Sequence, residues 1–245
     1  MKFDIKRAFK YMTGDKKLVS KVAISYLLLA FPAIVKTIHN FFKEIAKNLD
    51  PSIILVITIV LLFCLIISLM CQLIYFGYYS ENVNLRISKP EEKLPQWYNL
   101  IKYIPTGFKS CCGALIYSIF IFMVAILIIA FNKALLPLVM IFALFFLFVI
   151  TNVAYCSFLT DLKFGSFFNF KKIKLILIDN FLTYIKYLGW AILLGLILGI
   201  SFFICIITIV GVVLMPLIIT YFGYVINDLC AQMLSAIIQK TEAKE

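Results

Sequence analysis

The chain has 245 residues, 64% of them hydrophobic and 14% charged, where soluble domains run at about 45–50% and roughly 25%. With a mean hydropathy of +1.05, these figures exclude a soluble globular domain, a disordered chain and a disulfide-dense secreted scaffold. They predict an all-α membrane protein with several spans, and a net charge of +11 whose placement should report its orientation.

In chain order, the first element is a short amphipathic helix. Ile5, Ala8, Phe9 and Met12 recur at helical spacing with Lys6, Arg7 and Lys10 between them, a pattern suited to the membrane interface. Thr13-Gly14 would close it. The first span is predicted over roughly Leu18–Phe42, with Lys21 and Lys36 snorkelling from its ends. The basic leader is long and no clean small-x-small cleavage site follows, so the segment reads as a retained span. The stripe Ile38, Phe41, Phe42, Ile45 and Leu49 continues the helix on the outer side. Asp50-Pro51 then opens the second span, Pro51–Ser80, proline being tolerated in a first turn.

A loop around 81–110 carries a second interfacial stripe, Trp97, Leu100, Ile101 and Ile104, closed by Gly107. Charge-free runs Ser110–Asn132 and Ala134–Thr160 are the third and fourth spans. A third stripe, Ile173, Ile176, Leu177 and Phe181, follows, with Asn180 available for a left-handed close. The run Tyr187–Asn227 is too long for one span. Gly211 and Pro216 mark the expected turn between spans five and six. Within it, Ala191, Gly195 and Gly199 form a small-residue stripe that lets another helix approach, span six being the favoured partner over a second copy.

Six spans thus form three hairpins in one membrane domain (1–245). The units are 1–80, 93–160 and 167–235, each an interfacial helix plus a hairpin, followed by a polar tail, 236–245. The even-numbered spans end alike: Tyr75-Phe76-Gly77-Tyr78, Tyr155-Cys156-Ser157-Phe158 and Tyr221-Phe222-Gly223-Tyr224, each followed within four residues by Glu81, Asp161 or Asn227-Asp228. All three hairpins would enter from one side, as parallel repeats. The alternative is that interfacial belts draw tyrosine to every span end.

If the spans alternate, 19 of the 23 basic residues fall on the side of the termini and of the loops near 81–110 and 161–186. Only Lys36, Lys43, Lys47 and Lys133 fall opposite. The positive-inside bias places both termini in the cytoplasm, at an inner membrane. The same charge would attract anionic lipid headgroups. Lysines spread over membrane-abutting loops do not form a nucleic-acid surface.

No residue is assigned a catalytic, cofactor-binding or metal-binding role. Cys64, Cys71, Cys111, Cys112, Cys156, Cys205 and Cys230 contain no CxxC and read as packing residues. The single histidine, His39, reads as a surface residue, and one histidine cannot make an HExxH site. Mid-membrane ionisable groups mark ion or proton paths. Here the deepest polar groups are neutral, Gln72 and Asn152 among them. The acids Glu81, Asp161 and Asp228 sit at the cytoplasmic rim. Either they form a ring facing a central axis, or each pairs with a nearby base or caps its helix.

The residues Gly77-Tyr78, Asn82, Arg86, Leu94-Pro95-Gln96-Trp97 and Gly107-Phe108-Lys109 resemble an uncharacterised prokaryotic membrane family, domain of unknown function 4013. Gln96 stands where that family usually has an acid, and Phe108 where it has leucine. The resemblance implies a bacterial or archaeal cytoplasmic-membrane protein and carries no activity, cofactor or catalytic residue. Read physically, Pro95 would open the second interfacial helix, Trp97 would anchor it at headgroup depth, and Gly107 would turn the chain into the membrane.

The expectation is a non-enzymatic scaffold, assembly partner or bilayer modulator. The alternative is a permease or lipid-handling subunit working with a separate ATPase in trans, an analogy of layout only. A third, an intramembrane enzyme using Asp161 or Glu81, has no partner residue at motif spacing.

Overall fold

The structure, a computed structural model, describes residues 3–13, 17–45, 50–90, 94–95, 97, 99–131, 136–206 and 209–242. Every regular element among them is helical. The α-helices are α1 (Ile5–Thr13), α2 (Leu18–Ile45), α3 (Pro51–Ser88), α4 (Ile104–Phe131), α5 (Leu136–Leu159), α6 (Phe170–Lys174), α7 (Phe181–Ile206) and α8 (Ile209–Glu242). Six helices are long and apolar enough to cross a membrane, by length and composition.

α1 forms where the first amphipathic stripe falls. The Asp4 carboxylate caps it by accepting from the Arg7 amide at 2.7 Å, and Ala8 on its apolar face is fully buried. Gly14 lies outside the described residues. α2 runs past the first span to Ile45, as the outer stripe predicts. At the start of α3, Asp50 accepts from the Ser52 amide at 2.8 Å and Pro51 occupies the first turn, as expected.

α3 is longer than its charge-free run. Its 38 residues span roughly 57 Å at 1.5 Å per residue, about twice the hydrocarbon thickness of about 30 Å. The helix passes Ser80 and ends at Ser88 because Asn82, Val83 and Arg86 still have a face to bury.

The second interfacial helix is replaced by a single 3-10 turn, Leu100–Tyr103, that runs straight into α4. Pro95 lies outside any helix, and Gly107 lies within α4 and does not close a helix before it. The third stripe forms α6 followed by a π-helical turn, Leu175–Asp179. Asn180 has φ −124°, so it does not close that segment in the left-handed conformation. Its side-chain amide donates to the Leu175 carbonyl instead, at 2.9 Å. Among the described residues, the one with a left-handed φ is Leu162, φ 55°, in the turn after α5. Gly211 and Pro216 are also not a turn: α7 ends at Ile206, and both residues lie inside α8.

α2 packs on α3, α4 on α5, and α7 on α8; α3 also packs on α4 and on α8. α8 touches α1, α2, α3 and α7, and α3 touches α2, α4, α5 and α8. Of the most apolar stretch of each span, 6% is buried in α3 and 61% in α8. The core gathers residues around the C-terminal halves of α3, α5 and α8, with α1 and the turn after α5 closing it. Elsewhere the spans expose large apolar side chains such as Leu127 and Phe145. Such a surface suits acyl chains and would be untenable in water.

Candidate functional site

Two features stand out, a buried ion pair and a cavity beside it. The ion pair begins with Asp228 on α8, whose side chain is fully buried, and Arg86 on α3, which is 2% exposed. Arg86 donates to Asp228 Oδ1 through Nε at 2.9 Å and also through Nη2. Gln232, one turn on, donates to Oδ2 at 2.8 Å. Arg7 Nη2 stands 3.9 Å from Oδ1. Gln232 also pairs with the Asp4 backbone, accepting from its amide at 2.9 Å and donating to its carbonyl at 3.0 Å. One carboxylate thus joins α1, α3 and α8.

The chain has 21 lysines and two arginines, and both arginines converge on Asp228. The planar guanidinium fork suits a buried carboxylate where a lysine point charge would not. That scarcity is the signal the sequence carries for this contact.

The other two rim acids are held separately. Glu81 faces Lys102 at 3.4 Å and accepts from the Thr106 hydroxyl at 3.2 Å. Asp161 Oδ2 accepts from Lys172 at 2.7 Å and Ser166 Oγ at 2.8 Å, and Oδ1 from the Lys163 amide at 3.0 Å. Partial burial alone would raise the Asp161 pKa. The Lys172, Lys163 and Ser166 contacts outweigh it and hold the carboxyl below its ordinary value. Each of the three acids has its own partners.

The cavity has a volume of about 340 Å³ and lies where α3, α5, α7 and α8 meet. Its polar lining is uncharged: Tyr79, Asn152, Tyr155, Tyr187 and Asn227, with Cys156 and Cys230 alongside. The Cys156 and Cys230 sulfurs are 4.0 Å apart. Tyr155 and Ser80 share a hydrogen bond of 2.9 Å, and Tyr184 donates to Asn152 Oδ1 at 3.3 Å. Asn227 is different. It is 2% exposed, and neither its amide nitrogen nor its amide oxygen has a hydrogen-bond partner. Each such buried group costs about 1–3 kcal/mol. In the sequence Asn227 stands three residues after Tyr224, as Glu81 does after Tyr78 and Asp161 after Phe158.

The motif residues collect into one cluster. Tyr78, 1% exposed, stacks on Trp97 with centroids 3.7 Å apart and meets Tyr103 edge-on. Its hydroxyl donates to the Pro95 carbonyl at 2.9 Å. The Leu94 carbonyl accepts from Lys21 Nζ at 2.6 Å. Lys21 is therefore buried against this loop instead of snorkelling to water. A Cβ on Gly77 would overlap the Tyr103 carbonyl, and one on Gly107 the Leu73 carbonyl. The Ala191 stripe behaves otherwise. Among the described residues, an added Cβ at Gly195 or Gly199 meets nothing within 4 Å, and Ala191 lines the cavity.

The family model described as "Protein of unknown function (DUF4013)" matches residues 59–210. The chain belongs to that family. The match holds the whole Gly77–Lys109 cluster and the α5 and α7 walls of the cavity. Asn227 and Asp228 lie beyond it. No curated protein and no solved structure matches the chain.

Proposed function

We propose that this member of the family is a non-enzymatic scaffold or assembly partner in a prokaryotic cytoplasmic membrane, with both termini in the cytoplasm. The observation that supports it best is the use of polar side chains at the basic end to join one helix to another. The Arg86–Asp228 pair ties α3 to α8, Ser25 and Tyr224 tie α2 to α8, and Asn84 binds the Leu159 carbonyl at the end of α5. Lys240 near the end of α8 reaches Asn180 before α7 at 3.1 Å. A carrier that alternates between two shapes must break such bonds at one end in each cycle. A fixed base suits a platform.

The three-hairpin arrangement with parallel repeats belongs to the same reading. Its support is that Tyr78, Phe158 and Tyr224, the equivalent aromatic of each repeat, are 1%, 0% and 2% exposed. A lipid-handling subunit with an ATPase in trans is the second reading, favoured by the cavity. Anionic headgroups at the basic face fit both.

The test is purification of the full chain from native membranes in mild detergent, with mass spectrometry of co-purifying proteins. A stoichiometric membrane-protein partner supports the scaffold; a stoichiometric ATPase overturns it for the second reading. Single cysteines at Lys102 and Lys36, both exposed, introduced into a cysteine-free chain, test orientation. Labelling of Lys36→Cys and not of Lys102→Cys from outside intact cells is expected, and the reverse pattern overturns the topology.

A further inference from the structure

We propose that the cavity among α3, α5, α7 and α8 binds a neutral amphipathic lipid of the diacylglycerol kind, its hydroxyl-and-ester head on Asn227 and its chains leaving between α5 and α7. The inference goes beyond the scaffold reading and does not depend on it.

Asn227 carries the argument. A primary amide offers two donors and an acceptor; here neither end has a protein partner and both are covered, while the residue itself lines the cavity, so a head engages the amide by turning it into that space. A free hydroxyl beside an ester carbonyl offers the complementary set, a donor with acceptors next to it. The neighbouring carboxylate is not competing for the ligand, because Asp228 is engaged by Arg86 and Gln232.

The head must be uncharged. Among the described residues, no lysine, arginine, histidine or acid lines the cavity. A phosphate brought there would lose its water and gain no cation, which is costly in a medium of low dielectric. This separates the expected ligand from the bulk anionic phospholipids that the basic loops attract.

The remainder must be apolar. Phe148 on α5 and Ile192 on α7 line the cavity, and both are exposed on the lipid-facing surface, Ile192 by 51%. The cavity therefore opens sideways toward acyl chains. Its volume of about 340 Å³ is at the lower end of ligand pockets, enough for a head and the first methylenes, with the chains continuing into the bilayer.

The experiment uses the full chain in phosphatidylcholine nanodiscs with a diazirine-bearing diacylglycerol. Saturable cross-linking to α5, α7 and α8 is expected, competed by unlabelled diacylglycerol and not by phosphatidylglycerol at the same mole fraction. Asn227→Leu should lower labelling by about five-fold or more, the equivalent of one net hydrogen bond. The same variant should unfold no lower than the parent, because two unpaired buried groups are gone. Ile192→Trp, at the exposed mouth, should lower labelling without touching the core, and it serves as the deciding variant if Asn227→Leu does not fold. Labelling spread over all spans, equal competition by phosphatidylglycerol, or labelling unchanged in Ile192→Trp overturns the proposal.

Discussion

Gly77 on α3 and Gly107 on α4 bring the two helix backbones into direct contact. A Cβ built on Gly77 would lie 2.9 Å from the Gly107 nitrogen and would overlap the Tyr103 carbonyl; a Cβ on Gly107 would overlap the Leu73 carbonyl. Neither obstacle is a side-chain tip that can swing away. Gly77→Ala and Gly107→Ala should each destabilise by about 3 kcal/mol or more, the upper range for overpacking. Gly195→Ala, in open space, should be neutral or stabilise by up to about 1 kcal/mol through helix propensity. Thermal unfolding of the three variants in one detergent checks this. Similar behaviour at all three positions would contradict the crossing.

The Arg86–Asp228 pair predicts non-additivity. Arg86→Met leaves a buried carboxylate, and Asp228→Leu leaves a buried guanidinium. Each should cost about 3–5 kcal/mol, while the double variant should cost less than either single one. Arg7, further away at 3.9 Å and partly exposed, should matter less. A double-variant cycle on unfolding free energies is the measurement, and simple addition of the two single costs would refute the coupling.

Much of the fold was legible because a bilayer imposes long apolar runs: three charge-free runs, a fourth long enough for two spans, and a lysine-flanked first span add up to six. The capped start of α3 at Asp50-Pro51 was legible for the same local reason: its chemistry lies within three residues. What could not be read was whatever depends on contact across the chain. Trp97, Leu100, Ile101 and Ile104 carry helical spacing, yet Trp97 is drawn onto Tyr78 and the regular structure among the segment's described residues before α4 is one 3-10 turn. Gly107 looked like a helix end because glycine often is one; only the position of α3 reveals it as a crossing point. Gly195 and Gly199 show the converse, a spacing suited to close packing where an added Cβ meets nothing within 4 Å among the described residues. Asp228 read as a rim acid because its helix leaves the apolar run there. Its burial depends on Arg86, 142 positions away, and on α1 folding back over α8.

Tyr78 joins two of these unreadable contacts, the Trp97 stack and the hydrogen bond to the Pro95 carbonyl. The two can be separated. Tyr78→Phe keeps the ring and should cost about 1 kcal/mol, the net value of one hydrogen bond. Tyr78→Ala removes the ring from a fully packed position and should cost about 3–5 kcal/mol. Unfolding midpoints of the two variants are the readout. Equal losses would mean that the hydroxyl, not the ring, holds the 94–103 segment against α3.

Asp161 gives the pH dependence. Its carboxyl is held below the ordinary 3.8 because Lys172, Ser166 and the Lys163 amide all favour the ionised form over the penalty of partial burial. A folded-state pKa depressed below the unfolded one contributes stability that is fully present above the unfolded value. That stability is lost as pH falls through the folded one. The difference in unfolding temperature between the parent and Asp161→Asn should therefore be constant above about pH 5 and shrink on acidification, vanishing below the lowered folded-state pKa. Lys172→Met, which removes the 2.7 Å partner, should bring the Asp161 pKa back up and reduce the difference at neutral pH. A parent-to-variant difference that grows on acidification would mean that burial outweighs the lysine, and that Asp161 is a strained acid rather than a clasp between the end of α5 and α6.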